Sequence, residues 1–242
     1  MSQPPTAQIE AAKGDEDIVF GATERHLVPW ENVSQRSSDA PCFIHREVAP
    51  ALADLRSRAA EQGFDLCVCS GYRSFQRQSV IWNDKLSGRR PLLDKMSRPL
   101  QLDGLSDWDR VEAVLRWSAL PGASRHHWGT DIDVYDAVAM PQGYRLQLIP
   151  KETEAGGVFA SMHAWLDTEL AAGSDFYRPY AQDRGGVSPE RWHLSYAPLA
   201  RYYAAQHNPE ALAQRLRDAN ISQLDTVLKH LDVIYQRFIC NL

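Results

Sequence analysis

Apolar side chains recur along the chain at spacings that predict several helices separated by short strands. Between residues 46 and 62 they return every three or four positions, as on the buried face of a helix, and Gly63 suits the position after its end. Ser106 and Asp109 have the spacing of a pair that caps the start of a helix. The other predicted helices cover about residues 74–86, 106–120, 158–170, 209–219 and 222–242.

Three shorter segments, at residues 64–69, 130–135 and 191–196, predict strands. Cys67 and Cys69 share one face of the first strand, where thiols pack as small apolar groups. A metal role for this C-x-C pair is the weaker interpretation, because no second pair completes a four-ligand site.

The two ends of the chain differ from its middle. Residues 1–20 are polar and predict a mobile tail, and residues 21–45 lack a clear period, which predicts an arm over the core. The last predicted helix carries an apolar stripe that indicates a packing face, and a dimer seam is less favoured because about three heptads are present. That stripe consists of Leu224, Leu228, Leu231, Tyr235, Phe238 and Leu242.

Composition excludes some classes of partner. The chain has 242 residues, 44% hydrophobic and 24% charged, with a formal net charge of −5 and no lysine and arginine stripe, which argues against nucleic acid. No segment has the pattern of a signal peptide or the length of a membrane span. We therefore expect a cytoplasmic protein if Met1 is the native start, and a periplasmic one if a leader was removed.

Two polar clusters carry candidate chemistry. Residues 124–133 read S-R-H-H-W-G-T-D-I-D, and residues 190–193 read E-R-W-H. A catalytic zinc site needs three protein ligands and a base that is not a ligand. Glu190 and His193 lie three residues apart, so on a straight strand their side chains would face opposite sides. Either a turn at Ser188 and Pro189 or a bend at Glu190 would bring the two side chains together. Each cluster alone has a spacing common by chance.

With a third segment, S-G-Y-R-S-F-Q-R-Q at residues 70–78, the clusters resemble the ordered motifs of the D-alanyl-D-alanine carboxypeptidase (VanY-like) family. That family is grouped with lysostaphin-type enzymes and the hedgehog fold, and the similarity spans about residues 44–198. The resemblance implies His126, Asp133 and His193 as ligands of one Zn²⁺ and Glu190 as the general base. It further implies Arg73 as the group that stabilises the oxyanion or holds the substrate carboxylate, and Ser124 and Gln78 as substrate contacts.

Asp131 and His127 leave alternatives open within the first cluster. The family usually has a small residue where this chain has Asp131, which could bind a substrate ammonium, hydrogen-bond a ligand histidine, or compete as a ligand. His127 adjoins the implied ligand, and the register of the motif favours His126, with His127 pointing away.

The implied fold is α+β, with a small, mainly antiparallel sheet that carries the zinc site, flanking helices and a C-terminal helical extension. The expected organisation is a tail and arm at residues 1–45, a catalytic domain at 46–197 and the extension at 198–242. The implied activity is removal of terminal D-alanine from peptidoglycan peptides, with an L,D-tetrapeptide favoured and a D,D-carboxypeptidase or D,D-dipeptidase as alternatives.

Two other classes compete with this interpretation. A serine hydrolase built on Ser124 is disfavoured, since no G-x-S-x-G elbow surrounds it and Glu190 would have no role. A non-catalytic zinc-binding module of the same fold would need no base, so the presence of Glu190 and Arg73 favours turnover.

Overall fold

The computed structural model describes residues 15–32, 42–94, 97–101 and 103–241. Its strands form two antiparallel sheets, one of two strands in the order β1-β2 and one of four strands in the order β3-β4-β6-β5. The strand bounds are Leu27–Trp30 (β1), Cys42–His45 (β2), Leu66–Ser70 (β3), Asp131–Asp136 (β4), Phe176–Tyr177 (β5) and His193–Tyr196 (β6). The fold is therefore α+β, as predicted.

Helices surround the larger sheet and continue into the C-terminal part of the chain. They are Ala49–Glu61 (α1), Phe75–Leu86 (α2), Asp107–Leu115 (α3), Pro150–Thr153 (α4), Ala160–Ala171 (α5), Ala197–Gln206 (α6), Pro209–Arg217 (α7), Leu224–Lys229 (α8) and Leu231–Ile234 (α9). A 3₁₀ turn covers Arg125–Trp128, and a π turn, Tyr235–Ile239, follows α9. No helix in the described part of the chain is long and apolar enough to cross a membrane.

Local sequence signals set several of these boundaries. Ser74 caps α2 by accepting the Arg77 amide, and Ser106 and Asp109 form the reciprocal capping box predicted for α3. Helix α3 ends at Leu115, however, and the prediction that it continues to residue 120 is wrong. The carbonyl of Arg116 instead accepts the Ser188 amide, so the chain leaves the helix to bond a distant loop.

The two largest apolar clusters in the described part of the chain hold most of the elements together. One lies between the larger sheet and helices α1 and α5, and includes Leu52, Val68, Ile132, Met162 and Leu194. The other joins α2 and α3 to the C-terminal helices, and includes Trp82, Val111, Leu115, Leu212 and Ile234. The C-terminal stripe therefore packs against the rest of the chain through Leu224, Leu228, Leu231, Tyr235 and Phe238, as the sequence indicated, and Leu242 lies outside the described residues.

The last predicted helix is not continuous. Helix α8 ends at Lys229, and α9 begins after His230, whose backbone (φ −109°, ψ 18°) departs from helical values. The His230 ring stacks on Trp108 with centroids 4.3 Å apart, so a contact with α3 accompanies the break.

The start of the described chain is packed into the fold, contrary to the prediction of a mobile tail. Ile18, Val19 and Phe20 are buried in the second apolar cluster, so the prediction of a mobile tail is wrong for residues 15–20; residues 1–14 lie outside the described residues. The Val19 carbonyl accepts a hydrogen bond from the Trp128 indole at 3.0 Å, and the Phe20 ring lies 5.1 Å from that of His207. This short segment links the 3₁₀ turn to the C-terminal helices.

Truncation of Phe20 tests that link. Because the side chain is fully buried, we expect Phe20→Ala to lower the free energy of unfolding by about 3–5 kcal/mol. Chemical denaturation followed by circular dichroism measures this change. The matched control is Phe43→Ala, whose side chain is 47% exposed and should cost about 1 kcal/mol or less; equal losses in the two variants would contradict the burial of the N-terminal segment.

Candidate metal centre

Three elements bring His126, Asp133 and His193 together. His126 lies in the 3₁₀ turn, Asp133 on β4, and His193 at the start of β6, where it pairs directly with Asp133. Gly129 ends the turn with φ 67°, and a Cβ there would lie 2.8 Å from the His45 nitrogen. A glycine at this position therefore lets the turn pass close to β2 and aim His126 at the sheet.

The three side chains form a compact, buried donor set. One ligand atom from each lies within 4.8 Å of the others. His126 Nε2 is 3.4 Å from Asp133 Oδ2, and His193 Nδ1 is 3.2 Å from Asp133 Oδ1. Among the described residues, Asp133 Oδ1 is buried without a hydrogen-bond partner. Two imidazole nitrogens and one carboxylate oxygen, with a buried oxygen that lacks a donor, fit a catalytic zinc ion with an open fourth position.

The other nitrogen of each histidine has its own acceptor. His126 Nδ1 is 2.8 Å from the Gly71 carbonyl oxygen, and His193 Nε2 is 2.9 Å from Asp131 Oδ1. If these nitrogens carry the protons, His126 Nε2 and His193 Nδ1 are left as acceptors that face the centre. The contacts thus fix both the orientation of the rings and the tautomer needed for metal binding.

Asp131 is enclosed by partners. Its Oδ1 also accepts from Arg125 Nε at 2.8 Å, and its Oδ2 accepts from Thr130 Oγ1 at 2.7 Å. Burial alone would raise the pKa of Asp131, but Arg125 and His193 outweigh it and hold that pKa well below its usual range. Asp131 is fully buried, and each of its carboxylate oxygens already accepts a hydrogen bond. Of the three alternatives, the structure supports the hydrogen bond to a ligand histidine.

His127 points away from the centre, as the motif register indicated. Its Nδ1 lies 2.6 Å from the Arg73 carbonyl oxygen, and its Nε2 accepts the Gly122 amide at 3.0 Å. Both ring nitrogens are therefore used in holding two loops together.

Glu190 and Arg73 stand beside the donor set without belonging to it. A turn at residues 190–193, closed by the His193 amide donating to the Glu190 carbonyl, brings Glu190 Oε2 to 3.6 Å from His193 Nδ1. The bend thus follows Glu190 directly. Burial raises the pKa of Glu190 to about 7, against the opposing effect of His193. Arg73 Nη2 lies 4.0 Å from Asp133 Oδ2.

The position of Gln78 differs from both that the sequence suggested, a substrate contact and an amide on the helix surface. It is fully buried, so it is not a helix-surface amide, and the expectation of a substrate contact is not supported. Its Oε1 accepts from Arg73 Nη1 at 3.2 Å, and its Nε2 donates to the Ala119 carbonyl at 2.7 Å. Gln78 therefore positions the Arg73 guanidinium.

Ser124 lines a cavity of about 40 Å³ beside the centre, together with Arg73, Tyr180 and Glu190. Tyr180 and Arg125 are parts of the site that the sequence did not single out. The Tyr180 ring packs 5.0 Å from that of His193, and its carbonyl accepts the Glu190 amide. Arg125 lies inside the first motif, but no spacing rule distinguishes it from a surface cation.

A family model and several relatives match the chain. The model described as VanY, D-alanyl-D-alanine carboxypeptidase, matches residues 42–199, more than half of the chain. An uncharacterized protein of Haemophilus influenzae is 39% identical over 122 residues, covering 50% of this chain and 92% of that protein. A D-alanyl-D-alanine carboxypeptidase of Enterococcus faecalis is 25% identical over 179 residues, covering 72% of this chain and 55% of that protein.

Among solved structures, a mutant of the vancomycin resistance D,D-pentapeptidase VanY from a VanB-type resistance cassette, in complex with Zn(II), is similar to this chain. The TM-score is 0.47 and the identity 24%, over 74% of this chain and 85% of that one.

The contact between Asp131 and His193 predicts a specific effect on metal affinity. Asp131→Asn should weaken zinc binding about 10–100-fold, because loss of the charged acceptor loosens the ring and lowers its basicity. Titration against a chromophoric chelator measures the affinity. The control, Asp136→Asn, changes the same side chain on the same strand, where its Oδ1 accepts backbone amides of Asp65 and Val138. Equal affinities of the Asp131 variant and the wild type would show that this contact does not support the metal ligand.

Proposed function

The chain belongs to the D-alanyl-D-alanine carboxypeptidase (VanY) family, and on that premise we propose that it is a zinc-dependent carboxypeptidase acting on peptidoglycan-derived peptides. The observation that carries the proposal is the convergence of His126, Asp133 and His193 within 4.8 Å, beside a buried glutamate that is not one of the three. A purely structural zinc site would be closed by a fourth protein ligand and would need no such base.

Bound by these three residues, zinc would lower the pKa of a coordinated water to about 7 and polarise the carbonyl of the scissile bond. His126 and His193 would bind through Nε2 and Nδ1, the nitrogens left free by Gly71 and Asp131. Asp133 would contribute the oxygen that lacks a hydrogen-bond donor among the described residues.

Glu190 is the proposed general base. It lies next to His193 but contributes no atom to the donor set, so its carboxylate can accept the proton of the attacking water. A carboxyl group whose pKa burial raises to about 7 can both accept that proton and return it to the leaving amine near neutral pH.

Arg73 and the small cavity suit a small C-terminal residue. A guanidinium binds a carboxylate through two parallel hydrogen bonds, and Gln78 holds Arg73 at the edge of the cavity. The cavity is small, about 40 Å³, which leaves no room for a large side chain. We propose that this cavity receives the terminal D-alanine, with Ser124 in its wall.

A larger cleft, of about 570 Å³, shares Glu190 and Arg73 with the small cavity. In the L,D bond of a tetrapeptide, the residue before the terminal D-alanine has a long side chain. In the D,D bond of a pentapeptide, that residue is itself an alanine. The room in this cleft supports the L,D bond of a tetrapeptide as the preferred substrate.

Metal removal and loss of the base test the mechanism. Chelation should abolish D-alanine release, and added zinc should restore it. Glu190→Gln should lower kcat about 10²–10⁴-fold while the variant still binds zinc, as measured by metal analysis of the purified protein. Full activity after chelation, or wild-type kcat in Glu190→Gln, would contradict the proposal.

The bond preference has a separate test. Mass spectrometry of matched tetrapeptide and pentapeptide digests should show faster loss of D-alanine from the tetrapeptide. Release only from the pentapeptide would instead identify a D,D-carboxypeptidase, and release of an intact D-alanyl-D-alanine would identify a D,D-dipeptidase.

A further inference from the structure

The cleft of about 570 Å³ beside the candidate centre is lined by an excess of basic side chains. They are Arg73, Arg77, Lys85 and Arg90. Among the described residues, Asp133 and Glu190 are the only carboxylates that line it. The whole chain has a formal net charge of −5, so this local positive charge is of the opposite sign and favours anionic ligands.

Two of these cations share one face of α2. Arg77, Ile81 and Lys85 follow one another at intervals of four residues, and all three line the cleft. At 1.5 Å per residue, Arg77 and Lys85 are about 12 Å apart along the helix axis. An extended peptide advances about 3.3–3.6 Å per residue, so three or four substrate residues match that span.

The cations differ in whether the protein already neutralises them. Arg90 pairs with Asp84 at 3.2 Å, and Arg73 faces Asp133. In contrast, no hydrogen bond or ion pair joins the side chain of Lys85 or of Arg77 to any residue that the structure describes.

Lys85 is the more enclosed of the two. Its side chain is partly buried, whereas Arg77 is exposed. Burial lowers the pKa of Lys85 to about 8, against the opposing effect of Glu190, so the ammonium is still mostly protonated at pH 7. A partly desolvated charge without a partner is unfavourable, and an anionic group of a ligand would supply the missing partner.

We propose that Lys85, assisted by Arg77, binds a free carboxylate that the substrate carries upstream of the scissile bond, so that the enzyme selects acidic peptides. This inference rests on the proposed function for the placement of the scissile bond beside Glu190. The terminal residue occupies the small cavity, which Lys85 does not line, and the preceding residues lie in the cationic cleft.

A role for Lys85 in stability alone would have a different signature. Lys85 lies in the last turn of α2, where a cation interacts favourably with the helix dipole. Its loss would then lower the stability of the protein without changing its choice of substrate.

Kinetics with matched peptides distinguish these roles. The substrates are a peptide that ends in D-alanine and analogues in which one upstream carboxylate at a time is replaced by a carboxamide. For the zinc-loaded full chain, one replacement should raise KM about tenfold or more with little change in kcat, since a charged hydrogen bond is lost from binding.

In Lys85→Met the preference for the peptide with the carboxylate over its carboxamide analogue should disappear, and in Lys85→Arg that preference should persist. The matched control is Lys229→Met, which removes the same charge from an exposed position in the last turn of helix α8 and should keep the wild-type preference. An unchanged KM ratio in Lys85→Met, or a wild type that does not distinguish the peptides, would overturn the inference.

Calorimetry with the zinc-loaded Glu190→Gln chain separates this inference from the proposed function. The acidic peptide should bind about tenfold or more tightly than its amide analogue, and Lys85→Met should remove the difference. Such binding without turnover by the wild type would retain the inference and contradict the proposed function. Turnover by the wild type without Lys85-dependent binding would retain the proposed function and contradict the inference about Lys85. Absence of both turnover and Lys85-dependent binding would contradict both proposals.

Discussion

The antiparallel pairing of β4 with β6 is the constraint on which the candidate centre depends. It places Asp133 opposite His193 and Asp131 opposite Ser195, on one face of the sheet, while Ile132 faces the apolar core. A shift of one residue in this register would exchange the faces, burying the carboxylates among apolar side chains and moving Ile132 into the site. The apolar core therefore enforces the geometry of the metal ligands.

Burying this much charge requires compensation within the fold. Asp131 is matched by Arg125, whose Nη2 also donates to the Tyr177 hydroxyl and to Ser195 Oγ. Removing one member of such a buried pair leaves the other charge without a partner, which costs far more than the pair contributes in net terms. The carboxylate of Asp131 is thus accommodated by an arginine within the same motif, and Asp131 in turn fixes the ring of His193.

The sequence could predict what depends on local spacing. The face of α1, the capping box of α3 and the spacing within each of the three motifs are all encoded over a few residues. The burial of Phe20 and the attachment of Gln78 to Arg73 could not be predicted, because their partners are set by tertiary packing. Likewise, only the fold shows that Lys85 lines the cleft beside the candidate metal centre, since a lysine near a helix end is ordinarily a solvated charge.

The most direct test of the proposed zinc centre is a crystal structure of the zinc-loaded chain, with anomalous scattering collected at the zinc edge. We expect one strong anomalous peak, coordinated by His126 Nε2, a carboxylate oxygen of Asp133 and His193 Nδ1, with Glu190 nearby but not coordinated. A peak ligated by His127 or Asp131, or a protein that binds no zinc at these three residues, would contradict it.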